Sequence, residues 1–146
     1  MQNPALPSPE AAPTSSRAPS RAARIGGYVS SGLAVAFLIM DATMKLLTTA
    51  PAIESTQQLG YDPSVVFPLG VTQLACLVTY LFPRTSVLGA ILWTGYLGGA
   101  IATHVRLGNP LLSHVLFPVY VAALLWLGLW LRSPALRALV PLRRGT

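Results

Sequence analysis

The ionisable side chains that could do chemistry in this chain lie within or beside long apolar runs. Asp41 and Lys45 are four residues apart, so on a helix they share one face and can form an ion pair. The two histidines, His104 and His114, flank a short polar turn that also contains Arg106. Charged groups within membrane helices normally face the bundle interior and find partners, so we expect these groups to meet at one end of a helical bundle.

Gln73, near the middle of another apolar run, could point into the same space. The predicted binding cluster consists of Asp41, Lys45, Gln73, His104, Arg106 and His114. Such a cluster could hydrogen-bond the polar head of a quinone-like molecule whose tail lies in lipid. Pro118 cannot donate to the carbonyl of His114, which predicts either a kink beside a cavity or a simple packing kink.

Other chemistries lack the residues that they need. No further Cys, Met or His joins the two histidines at ligand spacing, which argues against a metal or a haem. Cys76 is the only cysteine, so no intramolecular disulfide can form. No nucleophile–base pair, phosphate-binding glycine loop or carboxylate pair is visible. Enzymatic activity stays open, and at most we expect a non-catalytic subunit of an oxidoreductase.

The composition indicates lipid as the solvent of this chain. Hydrophobic residues make up 53% of the 146 residues and charged residues 10%, and the mean hydropathy is +0.58. Soluble domains usually carry about a quarter charged residues. The net charge of +6 does not indicate nucleic-acid binding, because the basic residues sit at the ends of apolar runs rather than on one basic face.

The apolar runs predict an all-α fold in which each helix approaches the roughly 20 residues that cross a hydrocarbon core. The four transmembrane helices are expected at about 25–47, 63–82, 86–105 and 110–131. Asp62-Pro63 and Asn109-Pro110 read as helix starts, because Asp and Asn cap free N–H groups and Pro suits the first helical position.

The segments around the helices are polar or basic. Residues 50–61 are expected to form a polar loop. Residues 1–24 are rich in Pro, Ala, Ser and Arg and are predicted to form a disordered tail outside the transmembrane domain 25–131. Residues 132–146 are predicted to form a basic tail along the cytoplasmic interface.

The basic residues also predict the orientation. The short connections favour antiparallel neighbours and an up-down-up-down bundle. With the N-terminus inside, eight of the ten basic residues are cytoplasmic, namely Arg17, Arg21, Arg24, Arg84, Arg132, Arg137, Arg143 and Arg144. Only Lys45 and Arg106 then face outward, so both termini are expected in the cytoplasm.

Small residues recur on the third predicted helix as Gly95-x-x-x-Gly99. This spacing permits close helix contact. We expect packing inside the bundle, and a homodimer seam is the alternative.

Two segments resemble those of a known family. Asp41-Ala42-Thr43-Met44-Lys45-Leu46, and the run from Gly99 to Arg106 followed by Asn109-Pro110, are similar to the DoxX-like family of small bacterial membrane proteins. The similarity covers roughly Ile25 to Leu131 and implies an integral four-helix protein of the bacterial inner membrane. The founding members are small subunits of a thiosulfate:quinone oxidoreductase, and other relatives associate with redox-defence enzymes.

Three functions follow as hypotheses. The first is an accessory or anchoring subunit of a quinone-linked redox system, with a membrane or soluble redox partner and a cavity in the outer leaflet. The second is a small-molecule or proton-coupled transporter. The third is a structural membrane module whose polar cluster only fixes the order of the helices.

Overall fold

A computed structural model describes residues 19–139, and this part of the chain is helical without a strand. It has six α-helices, which are α1 Arg21–Leu46, α2 Ala50–Gln58, α3 Val66–Leu81, α4 Ser86–Arg106, α5 Phe117–Arg132 and α6 Pro134–Leu139. A 3-10 turn at Pro63–Val65 precedes α3, and a π turn at Leu111–Val115 precedes α5.

Between residues 19 and 139, four helical segments are long and apolar enough to cross a membrane. They are Arg21–Leu46, Pro63–Leu81, Ser86–Arg106 and Leu111–Arg132. Their lengths of 26, 19, 21 and 22 residues match the roughly 20 residues that a bilayer core requires. For the described residues, the prediction of an all-α fold with four helices long and apolar enough to span a membrane is therefore confirmed.

The first helix begins earlier than expected. Helix α1 starts at Arg21, and the Ser20 side chain accepts a hydrogen bond from the Ala23 N–H at 3.2 Å. This N-cap satisfies one of the free amides of the first turn, so the helix includes residues 21–24. The tail prediction for residues 1–18 and the end of the basic tail, residues 140–146, lie outside the described residues.

The prediction of a polar loop over residues 50–61 is wrong, because Ala50–Gln58 forms helix α2. Thr49 occupies the N-cap position with Pro51 in the first turn, and Gly60 follows with φ +81°. Pro suits a helix start and Gly suits the left-handed residue after a helix end. These signals outweigh the polar composition of the segment.

The two predicted Asx-Pro helix starts differ in outcome. Asp62 Oδ1 accepts from the Ser64 N–H at 2.9 Å, as an N-cap does. Hydrogen bonds from the Ser64 side chain and from its backbone N–H hold the pKa of the Asp62 carboxyl below its usual value. Asn109 does not cap, which corrects the prediction, because its amide lies 2.9 Å from His104 Nδ1. The following turn instead begins with π hydrogen bonds such as Leu116 N–H to the Leu111 carbonyl at 2.9 Å.

The helices pack as a bundle in which α1 and α4 each contact α3 and α5. Gly27 and Gly128 allow α1 and α5 to approach closely, since a Cβ at Gly27 would lie 2.9 Å from the Gly128 carbonyl oxygen. Buried Tyr80 forms hydrogen bonds with the Ser31 hydroxyl at 2.8 Å and the Leu125 carbonyl at 3.0 Å. This half of the bundle is tightly packed, and the open space lies toward the C-terminal half of α1.

Candidate functional site

A cavity of about 620 Å³ lies between the spanning helices and α2. We call it the polar cavity. Its walls are mostly apolar side chains, and its charged and polar groups include Asp41, Lys45, Gln73 and His104. The cavity volume is within the roughly 300–1,000 Å³ of small-molecule sites, which typically combine apolar walls with a few polar groups.

An ion pair from α1 and an amide from α3 form one polar group of the cavity. Lys45 Nζ lies 2.5 Å from Asp41 Oδ2, and Gln73 Nε2 donates to the same oxygen at 2.5 Å. The Asp41 side chain is 31% exposed and that of Lys45 14%, whereas Gln73 as a residue is 2% exposed. The i,i+4 spacing predicted from the sequence produces this pair because residues four apart lie on one helix face.

His104, in the last turn of α4, is held by its neighbours. With the amide as placed, Asn109 Nδ2 donates to His104 Nδ1 at 2.9 Å, which leaves the proton of a neutral ring on Nε2. The His104 and His114 rings meet edge to face with centroids 5.7 Å apart. His114 Nδ1 lies 2.8 Å from the Ser113 hydroxyl. His104 lines the polar cavity, and it can therefore offer a hydrogen-bond donor there.

Two of the six predicted cluster residues do not line the cavity. His114 is exposed, and its ring packs against that of His104. Arg106 is also exposed, and its Nη2 donates to the Leu59 carbonyl at 3.0 Å. That bond ties the end of α4 to the C-terminal end of α2, where free carbonyls accept from basic side chains. The structure thus brings Asp41, Lys45, Gln73 and His104 to the cavity.

Helix α2 and the turn that follows it form a cavity wall that the sequence does not predict. Ser55, Thr56 and Leu59 line the cavity, as does Tyr61. The Tyr61 hydroxyl forms a 2.9 Å hydrogen bond with the Thr103 hydroxyl on α4. Thr49 and Pro51 at the start of α2 and Gly60 after its end are the signals that could have revealed this helix. Nothing in the sequence places Tyr61 against α4.

Aromatic rings form part of the apolar wall. Phe37 on α1 and Phe117 on α5 meet edge to face with centroids 5.1 Å apart, and both line the cavity. Tyr96 lines it from α4 and packs edge to face on buried Trp93. Such a wall suits a flat ring, because aromatic pairs favour edge-to-face and offset contacts.

The predicted packing of Gly95 and Gly99 inside the bundle is wrong. A Cβ at either glycine would meet nothing within 4 Å, and both glycines line the polar cavity. The close glycine contacts are elsewhere, as at Gly89, where a Cβ would lie 2.4 Å from Tyr80 backbone atoms. Gly95 and Gly99 thus leave space in the cavity rather than join helices. A homodimer seam at these two glycines stays a prediction.

Metal ligands are not gathered in the described part of the chain. Within residues 19–139, no three side chains of His, Cys, Asp or Glu form a group that could hold a metal ion. Cys76 is buried as a free cysteine. The side chains that line the cavity can hydrogen-bond a ligand through an ammonium, an imidazole, a carboxylate, an amide and several hydroxyls.

The four apolar helices indicate a small multi-pass membrane protein, and the polar cavity lies between them. The chain belongs to the DoxX-like family, whose family model matches residues 29–128. The match extends from α1 into α5 and includes every element that lines the cavity. Comparisons with curated proteins and with solved structures give no significant match.

Proposed function

We propose that this protein is an accessory subunit of a quinone-linked redox system of the membrane and that the polar cavity holds the quinone head group. The observation that carries the proposal is a cavity of about 620 Å³ whose mostly apolar walls carry a few polar side chains, among them Asp41, Lys45, Gln73 and His104. Sites of this kind bind small molecules whose polar groups match the few polar side chains.

The donors of the cavity fit the chemistry of a quinone. A quinone ring presents carbonyl oxygens, which accept hydrogen bonds. Lys45 has three N–H donors, of which Asp41 takes one, and His104 offers Nε2–H. The ring itself would lie against the aromatic wall of Phe37, Tyr96 and Phe117.

We further propose that the bundle is up-down-up-down in a bacterial inner membrane, with both termini cytoplasmic and the cavity in the outer leaflet. The cavity is lined by the C-terminal halves of α1 and α4 and by the N-terminal halves of α3 and α5, as antiparallel neighbours would require. The predicted split of eight inner and two outer basic residues supports the same orientation. Arg17, Arg143 and Arg144 of that count lie outside the described residues.

In the accessory role, a partner protein carries out the redox chemistry. The side chains of the polar cavity would bind the quinone head group, and a membrane or soluble redox protein bound to this chain would exchange electrons with the quinone. A partner of this kind is recovered by gentle crosslinking in membranes followed by mild-detergent purification.

The proposal is tested by the quinone content of the protein purified in mild detergent, measured after solvent extraction. Wild-type protein is expected to retain quinone, and His104→Ala is expected to retain about tenfold less, because a hydrogen bond within the cavity is lost. Val105→Ala is the matched control, since Val105 is exposed on the same helix and does not line the cavity. Quinone-free wild-type protein, or equal loss in both variants, would contradict the proposal.

A second candidate function, transport, is favoured by the interruption before α5. The π turn Leu111–Val115 ends at Leu116, and Phe117 and Pro118 beside the break line the cavity. Transporters commonly build substrate sites at interrupted helices. In that case proteoliposomes show substrate or proton flux that Asp41→Asn abolishes, whereas an accessory subunit shows none.

A further inference from the structure

The buried amide of Gln73 carries one hydrogen-bonding atom that the protein leaves unused. Nε2 donates to Asp41 Oδ2, and this bond fixes the orientation of the amide, because the flipped amide would set two oxygens against each other. Oε1 is then buried and accepts no hydrogen bond from the described residues, 19–139. A buried acceptor without a donor is destabilising, so each such atom requires an explanation.

The position of Gln73 indicates where the donor comes from. Gln73 is 2% exposed and lines the polar cavity, so a molecule inside the cavity can supply the hydrogen bond once a small rotation of the side chain brings Oε1 to the cavity surface. Both hydrogen bonds to the Asp41 carboxylate end at Oδ2, which leaves Oδ1 as a second acceptor beside Gln73. Two neighbouring acceptors call for an occupant that carries a hydroxyl.

We propose that the occupant donates a hydrogen bond to Gln73, so that the cavity prefers the reduced quinol to the quinone. This inference rests on the proposed function. A quinone has only carbonyl acceptors on its ring, whereas each quinol hydroxyl both donates and accepts. The quinol can therefore donate toward Gln73 and Asp41 while it still accepts from Lys45 or His104.

The preference has a consequence for electron transfer. Tighter binding of the reduced form raises the reduction potential of the bound couple. For a two-electron couple, a tenfold preference corresponds to about 30 mV. The bound quinone would then accept electrons more readily than quinone free in the bilayer.

The test compares two forms of one ligand on the purified full chain. A decyl-substituted benzoquinone and its chemically reduced quinol are titrated under anaerobic conditions. The quinol is expected to bind about 3- to 10-fold more tightly, which corresponds to one additional neutral hydrogen bond. In Gln73→Met this ratio is expected to fall toward one, since only the acceptor at Asp41 remains, whereas a general loosening of the cavity weakens both forms alike and leaves the ratio unchanged.

Thr72→Val is the matched control, because Thr72 is exposed on the same helix and its hydroxyl donates to the Pro68 carbonyl of that helix. It is expected to keep the wild-type ratio. Equal affinities of the two forms for the wild-type protein, or an unchanged ratio in Gln73→Met, overturn the quinol preference alone. Failure of both forms to bind overturns the proposed function as well.

Discussion

Asp41 joins two of the helices that line the polar cavity through its carboxylate. Lys45 on the same helix and Gln73 on α3 both donate to its Oδ2 atom. A charge within an apolar helix costs about 2.5–3.5 kcal/mol on insertion scales. Mutual attraction and hydrogen bonds must offset this cost for Asp41 and Lys45. The same atoms can stabilise the bundle and bind a ligand, and these two roles can be separated by substitution.

The single variant Asp41→Leu is expected to destabilise the protein by about 2 kcal/mol, between the values for exposed and buried pairs, because it leaves the Lys45 ammonium unpaired. The double variant Asp41→Leu/Lys45→Leu is expected to recover most of that stability but to bind no quinone. Thermal unfolding in detergent and quinone extraction measure the two effects. Quinone bound at wild-type level in the double variant would show that the pair is only structural.

The residue scale also shows what the sequence can predict about the site. The i,i+4 spacing predicts the Asp41–Lys45 pair, which the structure has, since helical geometry alone sets it. The spacing says nothing about Arg106, whose contact with the Leu59 carbonyl depends on the fold of α2. Contacts between distant segments, such as Tyr61 with Thr103, cannot be predicted from local pattern.

At the scale of the elements, α4 carries glycines with opposite functions. Gly89 packs against the backbone of Tyr80 on α3, and a Cβ there would lie 2.4 Å from Tyr80 atoms. Gly95 and Gly99 face open space. The sequence pattern does not distinguish these environments, because a glycine that permits close contact and a glycine that leaves a cavity open look the same.

Gly89→Ala is therefore expected to destabilise the protein by about 1–3 kcal/mol, since two backbones must separate to admit the methyl group. Gly95→Ala is the matched control on the same helix. It is expected to be neutral or to stabilise by up to about 1 kcal/mol, because Ala is the better helix former. Melting curves in detergent that rank the two variants in the reverse order would contradict the packing of α3 against α4.

The elements themselves were largely predictable, because four long apolar runs with capping residues leave few alternatives in lipid. Helix α2 is harder to predict, because its polar composition is typical of a loop, while Pro51 and Gly60 occur in loops as well as at helix ends. The π turn Leu111–Val115 was also not predicted. Beside it, Asn109 binds His104, five residues earlier, rather than the free amides of the next turn, and this choice of partner is not visible in the Asn-Pro pattern.

For the whole molecule, the orientation in the membrane decides which compartment the cavity faces. Glu54 on α2 is expected on the outer side and Arg84, between α3 and α4, on the cytoplasmic side. Both are exposed, whereas the native Cys76 is buried and can be replaced by Ala to remove background labelling.

In that background, Glu54→Cys is expected to react with a membrane-impermeant maleimide on intact cells, and Arg84→Cys only after permeabilisation. The physical reason is the retention of basic segments on the cytoplasmic side. The opposite pattern of labelling would show that the topology is inverted and that the cavity faces the cytoplasm.

The central claim for the molecule is that the polar cavity is a ligand site. The most direct measurement is the quinone content of purified Gly99→Leu compared with Gly98→Leu. Both glycines are exposed on α4 with nothing within 4 Å of a Cβ, but only Gly99 lines the cavity. Our account predicts that Gly99→Leu fills the cavity and loses the quinone while Gly98→Leu retains it, and equal quinone content in the two variants would contradict it.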